Sequence, residues 1–238
     1  MLSKEERLNI YKTISIPDEF GYYCEDGEDS AELYDFIDRV YDINKEAVVN
    51  HGVSKAVIID PDLDVVIKIP FNTSFYYNVD NGDDLSYDPD LPDIKEDILD
   101  NFCQIEADIY QECINEGNGY EIFLAKTKEI DNLHYVQEKC ETYENKYNIY
   151  DDNFQEKTAK DIEKYNNKLE GKRFFPSRFI LDLIKSYGED KTFNFLEFLK
   201  SDSDIARSIS MDLHNENIGY RVSDGTPCII DYSGWWED

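Results

Sequence analysis

Asp212-Leu213-His214-Asn215-Glu216-Asn217 leads into Ile218-Gly219-Tyr220-Arg221-Val222, then Ser223-Asp224-Gly225-Thr226-Pro227, then Cys228-Ile229-Ile230-Asp231. Asp224-Gly225 is a pair that tight hairpins favour, and the apolar segments 218–222 and 228–230 read as its two strands. Asn217 and Asp231 each stand seven residues from Asp224, so antiparallel pairing brings them close in any of the neighbouring registers. An amide and a carboxylate so placed suit Mg²⁺, a hard cation that takes oxygen ligands and keeps waters for phosphate oxygens to replace. Asp212, five residues before Asn217, is expected to reach the same cleft as a base or orienting group.

Asp-x-x-x-x-Asn, a short hairpin and Ile-Ile-Asp resemble the catalytic loop and metal-binding segment of the protein kinase-like superfamily, in its eukaryotic protein kinase and aminoglycoside phosphotransferase branches. The resemblance implies that Asp212 accepts or orients the proton of an acceptor hydroxyl, and that Asn217 and Asp231 hold Mg²⁺ on ATP. The chain departs from the family pattern in two places. Ser210-Met211-Asp212 stands where His-Arg-Asp or His-Gly-Asp is usual, and Asp231-Tyr232-Ser233-Gly234 where Asp-Phe-Gly is usual.

Such a fold needs a lysine on a strand of its first lobe, and Val65-Val66-Ile67-Lys68-Ile69-Pro70 supplies one in an apolar, β-branched run. Segments 56–59 and 65–67 flank Asp60-Pro61-Asp62-Leu63-Asp64, a turn-rich stretch that reads as a simple chain reversal and puts Lys68 on a third strand. Similarity to Val-Ala-Ile-Lys implies that Lys68 contacts the α- and β-phosphates. A glutamate must pair with it. Over 98–114, Leu99, Phe102, Cys103, Ile109, Tyr110 and Cys113 recur at helical spacing, and Glu106 falls on that apolar face. A carboxylate there is costly to bury alone, so Lys68 is its expected partner; Glu112, reading as solvent-facing, is the second choice.

Asn50-His51-Gly52-Val53-Ser54-Lys55-Ala56-Val57 occupies the place of the family's glycine-rich loop, with Gly52 alone matching. The resemblance implies backbone amides near Gly52 and Ser54 facing phosphates, with Lys55 adding charge. Segments 121–130 and 133–138 read as strands joined at Asp131-Asn132, with His134 a surface or strand histidine. They lead to a hinge at Gln137-Glu138-Lys139-Cys140, where backbone groups, those of Glu138 and Cys140 among them, are expected to bond an adenine.

The expected fold is α+β: a two-lobed protein kinase-like chain with an antiparallel-sheet first lobe and a mostly helical, truncated second lobe. A helical extension spans 1–44, with Leu33, Phe36, Ile37, Val40 and Tyr41 as its stripe and Asp29 and Glu32 as its capping pair. The first lobe spans 45–139, with an acidic insertion at about 72–97, dense in Asp and Asn with Pro and Gly among them, whose spacing does not fit an EF-hand. The second lobe spans 140–238, with helices at 158–169, 178–187 and around Phe193-Asn194-Phe195-Leu196. Seven residues follow Asp231, so the resemblance implies no activation segment or later peptide-binding helices, as in minimal bacterial effector or phage-encoded kinases.

With 53 acidic against 24 basic residues the net charge is −29, which disfavours nucleic acid and anionic membrane as partners. Five cysteines without a Cys-x-x-Cys pair, and the lack of a long apolar run, point to a cytoplasm, or to a host's cytoplasm for a phage or effector product. The expected function is ATP- and Mg²⁺-dependent phosphoryl transfer to a hydroxyl, on a protein or a small molecule. Two other classes stay open: a pseudokinase that binds without transfer, and an acidic decoy that occupies a basic partner protein.

Overall fold

A computed structural model describes residues 2–18, 20–23, 28–52, 54–74, 101–148, 150–163, 175–211 and 213–233, with backbone alone at 22, 23, 28, 29, 73 and 74. Asp212, the expected insertion from residue 75 onward, the end of the helix expected at 158–169, and Trp235 and Trp236 lie outside the described residues. The chain is α+β and divides into two units, Met1–Ala107 with Thr127–Gln137, and Asp108–Lys126 with Glu138–Asp238.

In the first unit, Ser3 starts helix α1 (Lys4–Tyr11) with a reciprocal cap. Its Oγ accepts from the Glu6 amide at 3.2 Å, and the Glu6 carboxylate accepts from the Ser3 amide at 2.7 Å. Strands β1 (Gly21–Tyr23) and β2 (Glu28–Asp29) follow, so the N-terminal segment is not purely helical. Helix α2 (Ala31–Ile43) is capped by Ser30, whose Oγ accepts from the Leu33 amide at 3.1 Å, and not by Asp29 as expected. Asp29 lies opposite Tyr22 in the β1–β2 pair, and strand pairing displaces the cap by one residue.

The main sheet is built from β3 (Val48–His51), β4 (Lys55–Ile59) and β5 (Val65–Pro70); β6 (Thr73–Ser74) pairs with β1 instead. After helix α3 (Phe102–Glu116) come β7 (Thr127–Asp131) and β8 (His134–Glu138), giving the order β3-β4-β5-β8-β7. The ladders β3–β4, β4–β5 and β7–β8 are antiparallel. Alternation sends Ala56, Ile58, Ile67 and Ile69 into a core with Tyr11, Phe20, Leu33, Phe36 and Val40, so both N-terminal helices are part of this unit's interior.

The β4–β5 turn is also an anchor. Asp60 is buried and accepts from Arg7 Nε at 2.7 Å, Asn44 Nδ2 at 3.0 Å, Tyr11 Oη at 3.3 Å and the Asp62 amide at 3.0 Å. The expectation of a mere chain reversal is therefore corrected: this turn ties α1 and the end of α2 to the sheet. Burial alone raises the Asp60 carboxyl, but the Arg7, Asn44 and Asp62 hydrogen bonds outweigh it and hold the group below its ordinary value. A carboxyl depressed on folding contributes stability above its unfolded pKa of about 3.9 and loses that contribution as pH falls through the lower folded value. Urea midpoints should therefore drop more steeply between pH 5 and 3 for the native chain than for Asp60→Asn; equal slopes would show that Asp60 carries no such linkage.

The second unit takes the end of α3, a 3₁₀ turn at Tyr120–Phe123 and β9 (Cys140–Thr142). Helices α4 (Tyr143–Lys146), α5 (Asp152–Ile162), α6 (Ser177–Tyr187), α7 (Glu189–Phe198) and α8 (Asp204–Met211) lead to β10 (Ile218–Arg221) and β11 (Pro227–Ile229). Residues 121–123 thus form a 3₁₀ turn where a strand was expected. Asn118 Oδ1 accepts from the Tyr120 amide at 2.9 Å, and the buried Phe123 ring stacks on Phe195 with centroids 4.2 Å apart. Burial of that aromatic pair fixes the chain here more strongly than β propensity does. Among the described residues no helix is long and apolar enough to cross a membrane.

Candidate functional site

In the first unit, Val57 lies opposite Lys68 and Lys55 opposite Pro70 on antiparallel β4 and β5. With the two-residue period of a strand, Lys55 and Lys68 share one face of the sheet. Glu106, on the buried face of α3 with Phe102, Cys103, Ile109 and Cys113, is fully buried between them. Lys68 Nζ donates to Glu106 Oε2 at 2.6 Å, and Lys55 Nζ to Oε1, also at 2.6 Å. Gln137, fully buried on β8, donates from Nε2 to Glu106 Oε2 at 3.2 Å and to Thr127 Oγ1 at 2.8 Å. The structure thus brings Lys68 and Glu106 together, adds Lys55 and Gln137, and leaves Glu112 exposed.

Lys55 is a strand residue turned inward. The loop before it closes on itself, since the Gly52 amide donates to the Lys55 carbonyl at 3.1 Å and Ser54 gives its carbonyl to the Phe71 amide at 2.9 Å. The Gly52 amide therefore serves the hairpin turn, a correction to its expected place among phosphate-facing groups.

In the second unit, the hairpin pairs Ile218 with Ile229, Gly219 with Cys228 and Tyr220 with Pro227. The Arg221 carbonyl accepts from the Gly225 amide at 2.8 Å, with Gly225 at φ 74°, so the Asp-Gly pair turns the chain as its composition suggests. At the open end the Asn217 carbonyl accepts from the amides of Ile230 at 2.7 Å and Asp231 at 3.3 Å. Asn217 is buried in a 3₁₀ turn (Asn215–Asn217) that begins at His214, whose Nδ1 accepts from the Glu216 amide at 3.3 Å. Asp231 Oδ1 accepts from Ser233 Oγ at 3.3 Å, and the buried Tyr232 anchors the segment through its hydroxyl on the Ala125 carbonyl at 2.8 Å.

Among the described residues no group of three His, Cys, Asp or Glu side chains is arranged to hold a metal ion. Asn217 and Asp231 bring one amide and one carboxylate, a donor set that fits a hydrated Mg²⁺ completing its shell with phosphate oxygens and does not fit a closed structural zinc site.

The segment expected as a hinge is held by this hairpin. The Glu138 amide donates to the Lys126 carbonyl at 3.0 Å, and the Lys139 carbonyl accepts from the Val222 amide at 3.0 Å. Because Lys139 and Val222 exchange a bond across the ladder, the next pair, Cys140 and Arg221, does not. The Cys140 N–H and C=O consequently point to the outer edge of β9, the end strand of the order β11-β10-β9. The Cys140 thiol lies 3.4 Å from Cys228 Sγ, and that contact together with burial pushes the Cys228 thiol above its ordinary value.

Compared with known proteins, the chain matches no family model, no curated protein and no solved structure.

Arg221 is the organiser that sequence reading missed. It donates to Glu138 Oε1 at 2.8 Å, Tyr187 Oη at 2.7 Å, Thr226 Oγ1 at 3.1 Å, and the carbonyls of Ile122 and Leu124 at 3.0 and 2.8 Å. The available signal was a lone guanidinium inside an apolar strand, which requires buried acceptors. Gly219 is equally constrained. An added Cβ would overlap the Glu141 carbonyl oxygen and stand 2.6 Å from Ile230 Cδ1. Gly219→Ala should cost about 1–3 kcal/mol, since backbone must move, and should shift the NMR amide resonances of Ile230 and Asp231. An unchanged spectrum would show that the hairpin accepts the methyl group.

Proposed function

We propose that the chain is a minimal, kinase-like phosphotransferase that uses Mg²⁺ and ATP to phosphorylate a hydroxyl acceptor, a protein serine, threonine or tyrosine being the first choice. The observation that carries this reading is the buried 2.6 Å contact between Lys68 on a strand and Glu106 on a helix. The kinase resemblance implies this same pairing. Desolvation offsets much of the attraction in such a buried pair, so it adds little net stability, and a binding role for the ammonium supports its place there.

In this reading Glu106 fixes the Lys68 ammonium, which holds the α- and β-phosphate oxygens of ATP. Asn217 and Asp231 hold Mg²⁺, which when bound neutralises charge on the transferring phosphoryl group. The outward backbone groups of Cys140 suit the donor and acceptor edge of adenine. Asp212 takes or orients the proton of the acceptor hydroxyl, a role given to it by the resemblance.

The test begins with thermal unfolding in ATP and Mg²⁺. The native chain should be stabilised, with Asp231→Asn losing most of the effect. Label from the γ-phosphate should appear on an acceptor, and Asp212→Ala should lose transfer while keeping binding. Stabilisation without transfer would make this a nucleotide-binding protein that does not phosphorylate. No stabilisation of either chain would remove the ATP-dependent reading.

A further inference from the structure

We infer that Lys55 is a second phosphate-binding lysine, sharing with Lys68 the polyphosphate of a bound nucleoside triphosphate; this rests on the nucleotide reading above. The family pattern that the sequence resembles supplies one strand lysine for one helix glutamate. Here two lysines converge on the same carboxylate. They sit on neighbouring antiparallel strands and the same face, and each takes its own oxygen of Glu106 at 2.6 Å. Their side chains are 9% and 3% exposed, so neither ammonium is a surface charge that drifted onto a nearby acid.

Glu106 is braced a third time by Gln137, itself bonded to Thr127, so the carboxylate is a fixed spacer between two ammonium groups. A lysine ammonium is a compact point charge that binds phosphate without demanding a particular plane. Two of them one carboxylate apart offer charge to adjoining phosphate groups rather than to a single one. Neither lysine is then indispensable. Losing Lys68 leaves Glu106 paired with Lys55, and Lys55 still facing the phosphates.

An acyl-phosphate derivative of ATP tests this on the intact chain. Where an amine lies against the bound phosphates, its nitrogen forms an amide bond to the acyl carbon, the acyl–phosphate bond breaks, and ATP leaves. Mass spectrometry should find the acyl group on both Lys55 and Lys68, with excess ATP suppressing both. Lys55→Met and Lys68→Met each leave Glu106 one lysine, so both variants should fold. Each should bind ATP about tenfold or more weakly than the native chain, with the remaining lysine still labelled. Labelling confined to Lys68, with Lys55→Met binding ATP like the native chain, would overturn the inference and leave the nucleotide reading standing. No ATP binding and no labelling of either lysine would overturn both, and would make the lysine–glutamate cluster a fixture of the core.

Discussion

Glu106→Ala should be the most damaging single substitution in the first unit. It removes the carboxylate that two buried ammonium groups share, at 2.6 Å each, and strips Gln137 of one acceptor. Leaving a buried charge without its partner costs about 3–5 kcal/mol, because the ion keeps its desolvation penalty and loses the attraction that offset it. For a chain of this size that corresponds to a fall in Tm of roughly 10 °C or more. The control is the triple change Lys55→Met, Lys68→Met and Glu106→Met, which replaces the cluster with apolar groups of similar length. It should recover much of the lost stability while abolishing nucleotide binding, since buried ion clusters often add less to stability than well-packed hydrophobic groups. If Glu106→Ala unfolds within about 1 kcal/mol of the native chain, the cluster is not desolvated as its burial indicates.

Arg221→Met should do comparable harm in the second unit. Arg221 ties the chain around 122–124 and the end of β8, both more than 80 residues away, to β11 of its own hairpin. Methionine keeps the apolar stem but leaves the carbonyls of Ile122 and Leu124 and the Glu138 carboxylate to find other donors. With several charge-assisted bonds lost together, the expected cost is about 3 kcal/mol or more. Hydrogen exchange locates the effect. The Ala125 amide, now donating to the Ile229 carbonyl at 2.7 Å, should exchange faster, whereas amides of β4 and β5 should not change. Protection of Ala125 equal to that of the native chain would show that Arg221 does not hold this junction. Glu138→Gln should be milder, because an amide oxygen still accepts from Arg221 and from the Lys126 amide.

Much of this architecture was legible because hydrophobic periodicity is local information. The apolar, β-branched run around Lys68 gave β5, the stripe of Phe102, Cys103, Ile109 and Cys113 gave α3, and Asp224-Gly225 gave the hairpin. A carboxylate at Glu106 among those apolar residues is costly to bury alone, and the kinase resemblance named Lys68 as its partner. The misses share a different cause. Ser30 replaces Asp29 as a cap because β2 claims Asp29, and residues 121–123 form a 3₁₀ turn because Phe123 stacks on a ring in α7. Asp60 carries α1 and α2 because Arg7, Tyr11 and Asn44 reach it from 53, 49 and 16 residues away. None of those partners is close enough in the chain for a pattern of neighbours to reveal it.

By itself the sequence determined the strand around Lys68, the helix around Glu106 and where the hairpin turns, and the family resemblance pointed Glu106 to Lys68. Only the tertiary structure decided that two lysines meet that carboxylate, that Gly52 is absorbed by its own turn, and that Arg221 holds the hairpin to the chain before it. The physical reason is range. Backbone conformation and amphipathic periodicity are set within a few residues, whereas the partner of a buried charge is set by strand register and packing across the whole chain.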